Sequence, residues 1–445
     1  MHRDYCNAHV IKSELDGQVM GQEKGTRAVA MAIARHLSNS EAREKGNCDD
    51  FQTDNVLLIG PTGCGKTETF RVLRKLEQEI QCPIIMVNTL NYSGTGSWRN
   101  TVSVKTIFED VFMRAADIYY DLNGDDAEAW EQQEGITKIA NRAIILFDEF
   151  DKISLMGEDN GLLYLREYQS TLLKLAEGDT IKVRDMTHTK TVTKYDRKAK
   201  CTKTEEVKID ISDNEVDTTH MLFIFMGAFA GIETITRYRL QKERSTQKQE
   251  KQQNKLLSHV AYQDTRLGFI VTQQSKPEQN EQKEEEIYTY EQLIPSQEDV
   301  INYGFMRELI GRIPVRTVYK PLTEDALIDI LLNCRTSVYR EYQRKFKRES
   351  HELKCDRGAL REVARITISR GTGARGLRGV FAELLQQTEY DLSGDPRNIS
   401  CLIRGKDIKS GKPPLLHDRT RLIKKKSKRL LNAIKKDVPQ DNGQK

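Results

Sequence analysis

Four short runs of this chain are apolar without interruption: residues 56–59, 83–87, 143–147 and 221–226. An alternating run would mark a strand wet on one face. These continuous runs, rich in Ile, Val, Leu and Phe, mark strands buried on both faces, and so a parallel sheet covered by helices. Helical spacing appears elsewhere. Residues 23–37 place Ala28, Met31, Ala32 and Leu37 on one face, and a polar connector, 38–54, leads to the first strand. From Pro314 the pattern turns helical, over 323–334, 336–347, 356–370 and 374–390, with a break at Gly371-Thr372-Gly373. The expected fold is α/β: a large domain with a parallel sheet over 15–315, then a small α-helical domain over 316–403 and a basic tail over 404–445. Residues 1–14 carry no readable pattern. The polar segments 184–218 and 239–286 read as mobile surface insertions. The stretch 121–141 has no structural assignment.

The first apolar run stops at Gly60-x-x-x-x-Gly65-Lys66-Thr67, and a helical pattern follows. That strand–loop–helix context is what a phosphate-binding loop requires. Gly60, Pro61, Thr62, Gly63, Cys64, Gly65 and the adjoining Glu68 are therefore expected to line a nucleotide. Backbone N–H groups can wrap closely around phosphate oxygens only where side chains leave room. The helix that follows directs its positive end at the anion. Lys66 can reach the terminal phosphates of ATP, and Thr67 can hold Mg2+. The third run ends in Asp148-Glu149. An acid at the carboxyl end of a strand beside the P-loop strand lies where the metal sits. Asp148 is assigned to the Mg2+ and Glu149 to the attacking water.

Composition adds bounds. The chain has 445 residues, 38% of them hydrophobic and 31% charged, with a formal charge of +4. That length suits two or three domains, and the polarity suits solvated insertions beside a real core. Eight cysteines occur without a C-x-x-C pair, so neither zinc nor a disulfide framework is expected and a reduced, cytoplasmic setting is the default. No apolar run of membrane length is present. The basic run 424–429 in the tail could contact nucleic acid or an acidic protein surface, but no aromatic residue interleaves it.

Taken together, these motifs resemble the AAA+ ATPases, and in detail the ClpX unfoldases, ring-shaped motors that feed the ClpP peptidase. Asn55 to Thr67 is close to that family's P-loop, and Phe147 to Ile153 to its Walker-B stretch. Leu172 to Gly178, Gly227 to Gly231, Glu308 to Pro314 and Thr372 to Arg378 match further family segments in order. The resemblance implies a homo-oligomer, a hexamer, that threads unfolded or tagged proteins through a central pore. It places Val19, Met20, Gly21 and Gln22 at the adenine. Arg312 matches the arginine finger that reaches the neighbouring subunit's nucleotide, a group worth about 10³–10⁵ in rate. Arg375 matches the sensor-2 arginine of the small domain. Leu267-Gly268-Phe269 matches the tripeptide that docks into clefts on the peptidase, and an exposed Leu and Phe in a polar loop suit an apolar pocket.

Three departures matter. The family's N-terminal cysteine zinc domain has no counterpart, so adaptor binding through it is expected to be absent. The family's aromatic pore loop corresponds to Tyr92-Ser-Gly-Thr-Gly-Ser-Trp98; the strict match to its tyrosine is Thr95, leaving Tyr92 or Trp98 to grip substrate. The family's Arg-Lys-His pore loop is replaced by the basic insertion 184–200. Two other readings stay open: a stand-alone remodeller or HslU-type unfoldase, and a nucleic-acid remodelling ATPase acting through the tail.

Overall fold

The computed structural model describes residues 4–46, 53–93, 102–123, 129–156, 162–183, 186–196, 201–211, 215–260 and 293–419. Its centre is a five-stranded sheet, in spatial order Val315–Val318, Val56–Ile59, Leu222–Gly227, Ile144–Asp148 and Ile84–Asn88. Every neighbouring pair is parallel. The four apolar runs supply four of these strands. The fifth, Val315–Val318, lies where a helical pattern was expected to begin; it is short, half-buried and held at the edge by pairing with Val56–Ile59.

Side chains alternate between two cores, as a parallel sheet with both faces covered requires. Leu57, Ile59, Ile145, Phe147, Phe223 and Phe225 point to one, with the helix Thr106–Asn123. Val56, Leu58, Ile144, Leu146, Ile224 and Met226 point to the other, with Glu23–Glu44 and Lys66–Ile80. The helix from Glu23 runs on through Glu44, into the stretch read as a connector. Residues 8–16, which carry no pattern strong enough to read, form a helix capped by Asn7 and anchored by buried Ile11 and Leu15.

The insertions have structure too. Thr106–Asn123 runs into the start of the unassigned stretch, and Ala129–Ala140 lies within it. Met186–Asp196 and Cys201–Ile211 pair antiparallel as a ribbon, on a stem of Thr180–Lys182 against Glu215–Asp217. A run of alternate threonines, Thr187 to Thr193, was the strand signal within that polar segment. Ile232–Val260 is one helix, so the Gln- and Lys-rich stretch starts helical. Gln, Lys and Glu are good helix formers, and no Gly or Pro interrupts them.

The second domain packs four helices, Glu324–Asn333, Val338–Arg348, Arg357–Ser369 and Gly376–Leu392, around buried Leu327, Leu360, Phe381 and Leu385. It is not purely helical. Ile399–Ile403 lies between Glu352–Cys355, parallel, and Leu415–Asp418, antiparallel. The described fold therefore continues past residue 403 through Arg419. Among the described residues, no helix is long and apolar enough to cross a membrane.

Candidate active site

The Val56–Ile59 strand is buried throughout, so the loop after it emerges from the sheet at a fixed point. Gly60 donates its N–H to the Gly227 carbonyl at 3.1 Å, which ties the loop to the neighbouring strand end. Gly63 (φ 77°) and Gly65 (φ 113°) take left-handed backbone, and Lys66–Ile80 begins at once. Lys66 folds back over the loop, donating to the Gly60 carbonyl and, at 2.9 Å, to that of Pro61. Cys64 Sγ lies 4.0 Å from Lys66 Nζ, and burial pushes its thiol pKa up.

Asp148 ends the adjacent strand. The Thr67 hydroxyl is 3.5 Å from Asp148 Oδ2, and Asp148 Oδ1 accepts the Glu149 N–H at 2.9 Å. Thr89 donates its hydroxyl to the Asp148 carbonyl, fixing the strand end from the other side. Glu149 itself sits in left-handed backbone (φ 59°, ψ 31°), a conformation that costs a non-glycine residue about 1–2 kcal/mol. It is held there because Phe150, the next residue, is fully buried against Phe225 and Phe305. Glu149 lines the neighbouring cavity.

That cavity has a volume of about 840 Å³. Val19 and Met20 line it on one side, Thr62 to Glu68 along its floor, and Asp148 and Glu149 at the sheet end. The small domain closes it with Leu322, Ile330, Leu377 and Arg375. Arg375 donates from Nη2 to the Thr67 hydroxyl at 3.3 Å, across the two domains. The backbone Ala374 N–H also donates to the Gly63 carbonyl at 3.0 Å. A side chain at Gly63 would put its Cβ 2.4 Å from the Thr372 carbonyl oxygen, so this glycine serves the domain contact as well as the loop.

Not every expected residue faces the cavity. Gly21, Gln22, Gly60 and Pro61 are not among its lining residues. The Gln22 side chain is buried and bonded to the backbone of Cys64 and Lys320. Arg312 lies outside the cavity, 2.9 Å from Glu177 and half exposed. Tyr92 is placed by its backbone, pairing with Val102. Thr95, Trp98, Leu267, Gly268 and Phe269 lie outside the described residues. Sequence reasoning missed the apolar wall from the small domain and Asp151, whose Oδ1 accepts the Ala228 N–H at 3.0 Å. Asp151 stood in the quoted Walker-B stretch without a role.

The residues fit a nucleotide and a hard cation. The cavity is of ligand size, with an apolar wall at one end and a glycine cradle with cationic groups at the other. Thr67 and Asp148 offer the oxygen donors that Mg2+ takes.

Comparison with known proteins agrees. The family description "AAA domain (Cdc48 subfamily)" matches residues 52–262. With the parallel sheet and its phosphate loop, this makes the chain an α/β P-loop ATPase similar to the AAA class. Within that class its likeness is to ClpX proteins. It is 27% identical over 410 residues to the ATP-dependent Clp protease ATP-binding subunit ClpX of Treponema denticola, covering 91% of this chain and 82% of that one. The Borrelia duttonii ClpX is 26% identical over 403 residues, 89% and 77% of the two chains. ClpX 3 of Methylococcus capsulatus is 26% identical over 426 residues, 93% and 83%.

Proposed function

We propose that the chain is the ATPase subunit of a Clp-type protease, a motor that unfolds proteins and threads them through a ring pore to a ClpP-type peptidase. One observation carries this reading. The phosphate loop, Asp148, Glu149 and Arg375 converge on one cavity, in a chain similar to ClpX proteins along nine-tenths of its length.

ATP with Mg2+ supplies the phosphoryl group whose hydrolysis drives the motor. Thr67 and Asp148 would hold the cation, and Lys66, released from the Gly60 and Pro61 carbonyls, would meet the terminal phosphates. Glu149 accepts a hydrogen bond from the water and orients it. Val19 and Met20 bracket the base against Leu322 and Leu377. Arg375, bonded to Thr67, reports phosphate occupancy to the small domain that carries it. Arg312 faces away from its own site, as a finger for a neighbour's site would. The assembly in this reading is a hexamer, cytoplasmic, with Leu267-Gly268-Phe269 as the peptidase anchor and Tyr92, Thr95 or Trp98 in the pore.

The test is ATPase activity with and without an unfolded model protein, alongside degradation on adding ClpP. Stimulation with degradation is expected. Glu149→Gln should retain ATP binding and lose turnover by about 10²-fold or more. Stimulation without degradation would leave a stand-alone remodeller. Stimulation by DNA instead of protein would overturn the reading.

A further inference from the structure

The sheet-edge strand Val315–Val318 leads into the linker that carries the small domain. Its first residue, Tyr319, is fully buried although it carries a hydroxyl. The ring lies under the phosphate loop. A Cβ on Gly25 would fall 2.3 Å from it, and one on Gly60 would fall 2.8 Å from the Tyr319 carbonyl oxygen. The Tyr319 N–H donates to the Ile59 carbonyl at 2.7 Å. The hydroxyl is 2.8 Å from that of Thr69, which in turn donates to the Gly65 carbonyl at 3.2 Å. With the Thr69 proton so used, Tyr319 is the donor, and a relay runs from the linker to the last glycine of the loop.

A second relay lies beside it. Lys320 donates its N–H to Gln22 Oε1 at 2.7 Å and accepts from Gln22 Nε2 at 2.8 Å. Nε2 also donates to the Cys64 carbonyl at 3.2 Å. The paired N–H and C=O of Lys320 fix the amide's orientation. Two residues on, Leu322 lines the cavity, and Thr323 caps the first small-domain helix through the Ala326 N–H at 3.2 Å. Loop and linker are thus bonded at two consecutive linker residues through buried groups. Such bonds are costly to leave half-made.

We propose that Tyr319 and Gln22 are positioning residues that couple the shape of the phosphate loop to the placement of the small domain. This coupling is separate from the Arg375 contact. The inference rests on the ATPase reading. When the loop closes on phosphates, the Gly65 and Cys64 carbonyls reorient, and both relays pass that change to residues 319–320. The linker is then set from beneath while Arg375 acts from above.

The experiment uses the full chain and the variants Tyr319→Phe, Thr69→Val, Thr69→Ser and Gln22→Glu, at a temperature where each remains folded by circular dichroism. Tyr319→Phe keeps the ring and removes the hydroxyl. Two readouts are taken: kcat and KM for ATP, and hydrogen exchange of residues 319–323 with and without a non-hydrolysable ATP analogue. Tyr319→Phe and Thr69→Val should each lower kcat about three- to tenfold, the range one such bond supports, and the double variant should be no worse than either. Thr69→Ser should restore the parent rate. The analogue should change linker exchange in the parent and not in Tyr319→Phe or Gln22→Glu at saturating analogue. Parent-like kcat and parent-like exchange in the variants, with only a lowered melting temperature, would overturn the coupling and leave a packing role. A parent that binds the analogue but does not hydrolyse ATP would sink the ATPase reading instead. The exchange comparison would then still decide the coupling.

Discussion

Glu149 shows how much a single residue owes to its neighbours. Its acid chemistry was readable from the order Asp-Glu after an apolar run. Its left-handed backbone was not, because that conformation is imposed by where Phe150 is buried. His36 illustrates a residue with no sequence signal at all. It sits on the Glu23–Glu44 helix, fully buried, with Nε2 2.7 Å from the Arg142 carbonyl. Burial lowers its pKa from the ordinary 6.5 to about 4, with the charges of Arg43 and Arg142 acting in the same direction. The sign follows from the neutral form being the one the fold accepts. Between these two values the unfolded chain binds the extra proton and the folded chain does not, so stability falls as pH drops below about 6.5 and levels off near 4. Urea unfolding across that window should show the slope, and His36→Gln should flatten it. An unchanged slope in the variant would assign it to other groups.

Among the elements, the small domain separates what a pattern can show from what pairing decides. Its four helices were legible because apolar residues recur at helical spacing within each: Leu327, Ile330 and Leu331; Val338, Tyr342 and Phe346; Leu360, Val363 and Ala364; Leu377, Val380, Phe381 and Leu384. Its three strands were not. Ile399–Ile403, with Ser400 among its apolar residues, is too short for periodicity alone to assign, and Leu415–Asp418 is mostly exposed. Only the pairing of each to a neighbour makes it a strand. Arg419 then closes the edge, its N–H donating to the Asn398 carbonyl at 2.7 Å and its guanidinium pairing with Glu352. This moves the place at which a tail can be removed. Truncation after Arg419 should leave melting temperature and ATPase rate unchanged. Truncation after Ile403 strips one side of the central strand and should lower the melting temperature by several degrees. Equal melting of the two would mean that the third strand contributes nothing. The shorter truncation also isolates the basic run 424–429, so salt-dependent nucleic-acid binding lost with it would belong to that run.

For the whole molecule, the site is complete only across boundaries. The cavity is closed by two domains of one chain, joined where Arg375 meets Thr67 and where Ala374 meets Gly63. Arg312 is turned outward, and its backbone carbonyl is held by Asn55 Nδ2 at 2.9 Å while Asn55 Oδ1 accepts the Phe223 N–H at 3.0 Å. The Arg312 backbone is therefore braced against the central sheet through Asn55. If Arg312 serves a neighbour, two defective chains should rescue each other. Arg312→Ala and Glu149→Gln should each be nearly inactive alone. Mixed and reassembled, they should recover part of the activity, at interfaces where an intact Glu149 meets an intact Arg312. Mixtures no more active than their parts would place Arg312 in structure rather than catalysis.

The sequence by itself determined the phosphate loop, the acidic pair, the four continuously apolar strands and the ATPase class, because each is written in adjacent residues or in a short period. It also carried the likeness to ClpX, through motifs in a shared order. The tertiary structure alone decided the edge strand beside the loop, the mixed character of the small domain and the ribbon built on the insertion. It also decided that Gln22 turns from the cavity to bind Lys320, and that Tyr319 lies beneath the glycines of the loop. Those contacts join residues hundreds of positions apart. No local period encodes them; they arise only when burial of both sheet faces brings the segments together and leaves their polar groups to find partners.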